Sequence, residues 1–157
     1  MKIHTALVNI EDEKISSEKA KKFIDSENNG AESIFIGKVR NENGGKKVVG
    51  VTYDAHDQVV IKSFQSICNI AKNKFDKNAK IFLEHTKGYA LVGEISILIA
   101  VGSGHRDEAF KICRYILEEV KHQSPIWKKE HYVDGKEEWL PGHSLRSKKE
   151  VKYCQRI

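Results

Sequence analysis

Cysteine is scarce in this chain: Cys68, Cys113 and Cys154 are the only three in 157 residues. An odd number at wide spacing cannot make a disulfide framework and fits a reducing compartment, the cytoplasm. Proline is scarcer, with only Pro125 and Pro141, both toward the C-terminal end. There is no Cys-x-x-Cys and no His-Glu-x-x-His, and the histidines do not pair at ligand spacing, so no metal site is expected. Gly-x-Ser-x-Gly elbows and Walker loops are missing, as is an aromatic-rich strand of the RNA-recognition type. No run of about eighteen apolar residues exists, which excludes a membrane-spanning helix. The longest largely apolar stretch, Ile95 to Val101, is strand length. The opening residues run at once into Glu11-Asp12-Glu13, which does not read as a secretory signal peptide.

What is present is a charged, foldable chain. Its 39% hydrophobic content, with both Trp, six Phe and five Tyr, suffices for a core and excludes disorder. The 27 basic and 22 acidic side chains leave a net charge of +5. Residues 121–157 hold 9 basic and 5 acidic side chains, so +4 of that excess lies in the last 37 residues. An anionic partner is therefore expected at that end.

The chain shows no internal repeat. Residues 2–10 read as a strand. Ser16 or Ser17 can cap a short helix with Ala20, Phe23 and Ile24 on one face. Glu32–Arg40 reads as a strand, Asn41 to Gly45 as a turn, and Val48–Tyr53 as the returning arm of a hairpin. Val60, Phe64, Ile67, Ala71 and Phe75 fall at helical spacing within 57–75, as do Ala109, Cys113, Ile116 and Val120 within 106–122. Strands at Lys80–His85 and Glu94–Val101 lie between them, linked through Gly88 and Gly93. Short strands follow the last helix, with a turn at Asp134-Gly135. Hairpins interrupt the alternation, so an α+β fold with a mostly antiparallel sheet and three helices is predicted. Residues 1–140 form the domain and 141–157 a basic tail.

Three stretches could carry chemistry. Gly102-Ser103-Gly104-His105-Arg106 opens a helix, where free N–H groups favour anions; it also reads as a plain strand-to-helix turn. Arg40 ends a strand beside Asn41 and Asn43; its planar fork suits phosphate, though such an arginine is commonly just solvated. Lys121 to Glu130 clusters Lys121, Lys128 and Lys129 around Trp127. A partly desolvated lysine near other cations can act as acid, base or acyl acceptor, and Glu130 could orient one. The same stretch also reads as a charged loop pinned by one buried Trp.

Taken together, these strings resemble a known family. Phe35-x-Gly37-x-Val39-Arg40, His105-Arg106-x-x-Ala109-Phe110 and Lys121-x-x-x-Pro125-Ile126-Trp127-Lys128-Lys129-Glu130 occur in one order over most of residues 3–140. The chain is similar in this to the large, catalytic subunit of molybdopterin synthase.

The resemblance implies an α/β-hammerhead-type fold with a small extra β subdomain. It implies a homodimer within a heterotetramer, each large subunit binding a small ubiquitin-like sulfur carrier that ends in Gly-Gly. The carrier's terminal thiocarboxylate would give sulfur to cyclic pyranopterin monophosphate, making the dithiolene of molybdopterin. No cofactor, nucleic acid or membrane is implied. By motif, Lys121 and Lys128 are catalytic and expected to be largely solvent-accessible. Arg40, His105 and Arg106 would bind the anionic end of the pterin, with Lys129 and Glu130 supporting. His143 or Arg146 would enter a neighbouring subunit's site. Two segments depart from the family pattern, Tyr53-Asp54-Ala55-His56 and His85-Thr86-Lys87-Gly88. A different class of reading also fits the charge: a non-catalytic basic module that binds RNA or an acidic or ubiquitin-like protein.

Overall fold

The computed structural model describes residues 1–141. Its elements in chain order are β1 (Ile3–Asn9), α1 (Ser17–Ile24), β2 (Ala31–Lys38), β3 (Glu42–Asn43), β4 (Lys46–Ala55), α2 (Asp57–Phe75), β5 (Lys80–Leu91), β6 (Ile95–Ser103), α3 (Arg106–Gln123), β7 (Ile126–Tyr132) and β8 (Glu137–Trp139). The predicted helices are all present. Ser16 is the cap of α1, its hydroxyl accepting from the Lys19 N–H at 3.3 Å.

The strands follow the order β2-β6-β5-β4-β7-β8, with β1 beside β5 and β3 beside β4. Among the described strands only β1 and β5 pair in parallel. The fold is therefore α+β with a mostly antiparallel sheet. The long β5 joins its two halves. Lys80 to His85 pair with β6, and Gly88 to Leu91 pair with β4. The handover falls at Gly88, whose φ of +102° lies in a region costly to a side chain.

Alternation along β5 and β6 builds two cores. Ile81, Leu83, Ile97, Ile99 and Val101 face α2 and α3, against Phe64, Ile67, Ile112 and Ile116. Phe82, Leu98 and Ala100 face α1, against Ala20 and Ile24. Covered on both faces, β6 is buried from Ser96 to Ser103. Glu84 lies on the α1 side at 2% exposure. His4 at 2.8 Å and Lys19 at 3.3 Å compensate its carboxylate. A third, smaller cluster under β4 and β7 includes Val39, Val51, Tyr53 and Tyr132.

One expectation is overturned. The strands around residues 32–40 and 48–53 are not arms of one hairpin. β2 pairs with β6, while β4 pairs with β5 and β7. Val39 explains the parting. Its N–H donates to the Glu94 carbonyl and its own carbonyl accepts from Gly93, so the chain is anchored to the β5–β6 turn before it reverses. The turn at Gly44-Gly45 closes only β3 onto Lys46 and Lys47.

Gly30 locks the start of α3. A Cβ there would sit 2.1 Å from the Gly104 carbonyl oxygen, and the Gly30 N–H already donates to Ser103. Backbone cannot yield as a side-chain tip can. Gly30→Ala is expected to cost about 1–3 kcal/mol, the usual range for overpacking. Chemical denaturation of the purified variant measures it.

Candidate functional site

A cleft of about 450 Å³ opens where the end of β2, the inner face of β4 and β7, and the last turn of α3 meet. Arg40, Lys121 and Lys128 all line it, with Phe35, Tyr53 and His85 among the other walls. Local structure explains the convergence of the lysines. Ser124 stops α3, its N–H donating to Val120 and its hydroxyl lying 2.9 Å from that of Ser63. Pro125 follows, and β7 starts at Ile126. The strand period of two then turns Ile126, Lys128 and Glu130 to the inner face.

Both lysines are half-buried rather than largely accessible, because α3 and β7 form opposing walls. The segment is a strand rather than a loop, and Trp127 is 46% exposed on its outer side, so it pins nothing. Lys129 shares that outer face, 3.3 Å from Glu137 and over the Trp139 ring, and points away from the cleft. Glu130 is buried on the inner face, where it accepts from the Asn43 amide.

The cleft is also lined by two residues to which the motifs gave no role. Tyr53 and His85 meet edge to face at 5.1 Å, and His85 Nδ1 lies 2.8 Å from the Thr86 carbonyl oxygen. A carbonyl only accepts, so Nδ1 carries the proton and the ring orientation is fixed. Burial raises the Tyr53 pKa, against a hydrogen bond with Ser96, and nearby Glu130 raises it further. Tyr53 is thus a neutral phenol. The alternation Val51-Thr52-Tyr53 marks it as inward-facing, a cue available in sequence.

His105 and Arg106 lie elsewhere. They open α3, and Lys121 ends it fifteen residues on, about 22 Å along the axis at 1.5 Å per residue. His105 borders a separate cavity with Ser103, Asp76 and Lys2. Burial there works against the ionised Asp76, but hydrogen bonds from Ser103, Asn78 and Gly104 outweigh it and hold its pKa below the ordinary value. A depressed carboxyl contributes stability above its unfolded pKa that disappears as pH falls through the folded one. Asp76→Asn is therefore expected to flatten the acid limb of the stability–pH curve, followed by thermal melts in the acid range. His143, Arg146 and the tail beyond Pro141 lie outside the described residues.

The buried thiols are unsuited to carrying sulfur. Burial pushes Cys68 up to about 12, and it also raises Cys113, against hydrogen bonds from Ser33 and Phe35. A protonated thiol is neither nucleophile nor metal ligand. Among the described residues no cluster of three or more His, Cys, Asp or Glu could hold a metal ion. No described helix is long and apolar enough to cross a membrane.

Comparison with known proteins identifies the family. The family model described as "MoaE protein" matches residues 10–123. The chain belongs to the MoaE family. It is 41% identical over 126 residues to the molybdopterin synthase catalytic subunit of Synechococcus elongatus, covering 80% of this chain and 76% of that one. With the corresponding subunit of Pyrococcus abyssi it shares 39% over 130 residues, covering 83% and 86%. The solved molybdopterin synthase of Staphylococcus aureus superposes with a TM-score of 0.79 at 29% identity, over 90% of this chain and 98% of that chain. As a MoaE member the chain is a molybdopterin synthase catalytic subunit, a sulfurtransferase of molybdenum cofactor biosynthesis. The reading as a basic RNA-binding module finds no support among these relatives.

Proposed function

We propose that the cleft between Arg40, Lys121 and Lys128 moves sulfur from the thiocarboxylated terminal glycine of a small ubiquitin-like subunit to cyclic pyranopterin monophosphate. The observation that carries the reading is that both motif lysines and Arg40 line one half-buried cleft, although α3 ends and β7 begins between the lysines. A guanidinium at the rim suits a phosphate. A lysine ammonium stabilises charge on the acyl oxygen as the carbon–sulfur bond breaks. A second lysine moves protons at the pterin side chain. Sulfur arrives on the partner, which is consistent with buried, protonated Cys68 and Cys113. A Gly-Gly tail has no side chains to obstruct its entry. A similarly folded neighbour from Helicobacter pylori, at TM-score 0.70 and 20% identity, was solved as a complex of subunits 1 and 2 of molybdopterin-converting factor. The cytoplasm is the compartment that suits the unpaired thiols of Cys68 and Cys113.

In this reading His105 and Arg106 reach the cleft from a second copy. β2 stands at the edge of the sheet and carries exposed Ile36, and α3, which packs on it, exposes Phe110. Its first residue, Ala31, pairs with Ser103 just before α3, and its last, Lys38, lies two residues before Arg40. Eight strand residues span about 26 Å. A two-fold axis across this edge reverses one β2 against the other. It therefore sets the α3 N-terminus of one copy beside the Arg40 end of its partner.

The test combines the chain, thiocarboxylated carrier and pterin precursor, and follows the dithiolene product. Turnover dependent on the thiocarboxylate is expected. No product, where a known synthase makes it under the same conditions, overturns the reading.

A further inference from the structure

Glu130 is a carboxylate at 4% exposure, and a buried charge needs a compensating partner. Its Oε1 accepts from the side-chain amide of Asn43, 87 residues away in sequence. Asn43 belongs to β3, three residues beyond Arg40. The segment that carries Arg40 is held at both ends. Upstream, Val39 is tied on both backbone groups to Glu94 and Gly93, at 3.0 and 2.8 Å. Downstream, the Asn41 carbonyl accepts from Val48 at 2.9 Å. Gly44 and Gly45 have φ of +56° and +79°, the paired positive values of a two-residue hairpin turn, and this sets Asn43 opposite Lys46. The side chain of Asn43 then crosses to β7. There Glu130 shares the inner face with Lys128, two residues earlier.

We infer that Asn43 is a positioning residue: through Glu130 it fixes the Arg40 segment at a set distance from Lys128 and so preorganises the phosphate-binding end of the cleft. The inference rests on the sulfur-transfer reading above. Arg40 itself is exposed and sits on a short connection; its backbone ties run to the β5–β6 turn and to β4, and the Asn43 crosslink is the one among these that runs to β7, the strand of Lys128. An amide suits the task, since it donates to a carboxylate without adding a charge that would compete with Arg40 for the phosphate.

The experiment measures kcat and the KM for the pterin precursor in the assembled enzyme with thiocarboxylated carrier. It compares wild type, Asn43→Ala, Asn43→Asp, Arg40→Ala and the Asn43→Ala/Arg40→Ala double variant. Asn43→Ala is expected to raise KM about tenfold or more, with a smaller change in kcat, as misplacement of a binding group does. A residue that acts only through Arg40 adds nothing once Arg40 is gone, so the double variant should match Arg40→Ala. Asn43→Asp is isosteric and faces Glu130 with a second carboxylate. Two carboxylates at one site must share a proton, so its KM defect should shrink as pH falls. A wild-type KM in Asn43→Ala overturns the positioning role, and so does a penalty that persists in full without Arg40. If Asn43→Ala does not fold, a KM defect in Asn43→Asp that is absent or independent of pH overturns it instead. Failure of wild type to turn over sinks the sulfur-transfer reading itself, whereas active wild type with an unaffected Asn43→Ala sinks only this inference.

Discussion

Lys128→Ala is expected to lower turnover by about two to three orders of magnitude, the loss typical when one electrostatic donor is removed from a transition state. The fold should survive. Lys128 lies on the inner face of β7 but borders open cleft, and its truncation leaves no cavity in the three apolar clusters. Lys121→Ala should lose activity on a similar scale. It also removes a cation from the last turn of α3, a structural cost of about 0.3–1 kcal/mol at most exposed helix ends. The roles separate under conservative replacement. Arg keeps the charge but spreads it over a plane, so Lys→Arg should rescue a purely electrostatic role better than a proton-transfer role. Single-turnover formation of the dithiolene, run beside a thermal melt, reads both quantities. Wild-type turnover in both alanine variants removes the lysines from the mechanism.

What the sequence disclosed depended on whether the determining contacts were local. The stripe Val60, Phe64, Ile67 and Ala71 located α2, because a helix buries one face and the pattern lies within a single segment. The partner of β2 was not legible. Turn chemistry at Gly44-Gly45 pointed to the nearest strand, yet β2 pairs with β6, about sixty residues on, because Val39 is tied to the Gly93-Glu94 turn. Lys128 and Lys129 show the same limit on a finer scale. Their stretch reads either as a short strand or as a charged loop; pairing with β4 makes it a strand and sends adjacent lysines to opposite faces. The inner-face crosslink from Asn43 to Glu130 had no local cue at all. The motifs supplied the cationic residues only as a series in chain order; their grouping into one cleft and one distant helix end is a property of the fold. Charge bookkeeping pointed to residues 121–157, but Arg40 lies in the near-neutral remainder of the chain and still lines the cleft.

The separation of Arg106 from Lys121 makes a sharper demand than either single substitution. If α3 of one copy completes the cleft of the other, Lys121→Ala and Arg106→Ala damage different subunits' contributions to one site. Each variant alone gives a homodimer in which both sites are defective. In a mixed dimer, one site combines both defects, while the other draws its Lys121 and its Arg106 from the undamaged positions. Random exchange makes half the dimers mixed, so about one site in four should be intact. Unfolding and refolding the two variants together, or coexpressing them with distinct tags, should therefore return about a quarter of wild-type turnover from two nearly inactive proteins. Lys121→Ala mixed with Lys128→Ala is the control, since both lysines line one chain's cleft. Every mixed dimer then carries one defect in each site, and no recovery is expected. Recovery in the control but not in the test pair would assign the lysines, rather than the start of α3, to different chains. No recovery in either, with mixed dimers shown to form, would place His105 and Arg106 outside the reacting cleft and leave Arg40 as its one cation from outside the Lys121 to Glu130 segment with a motif match.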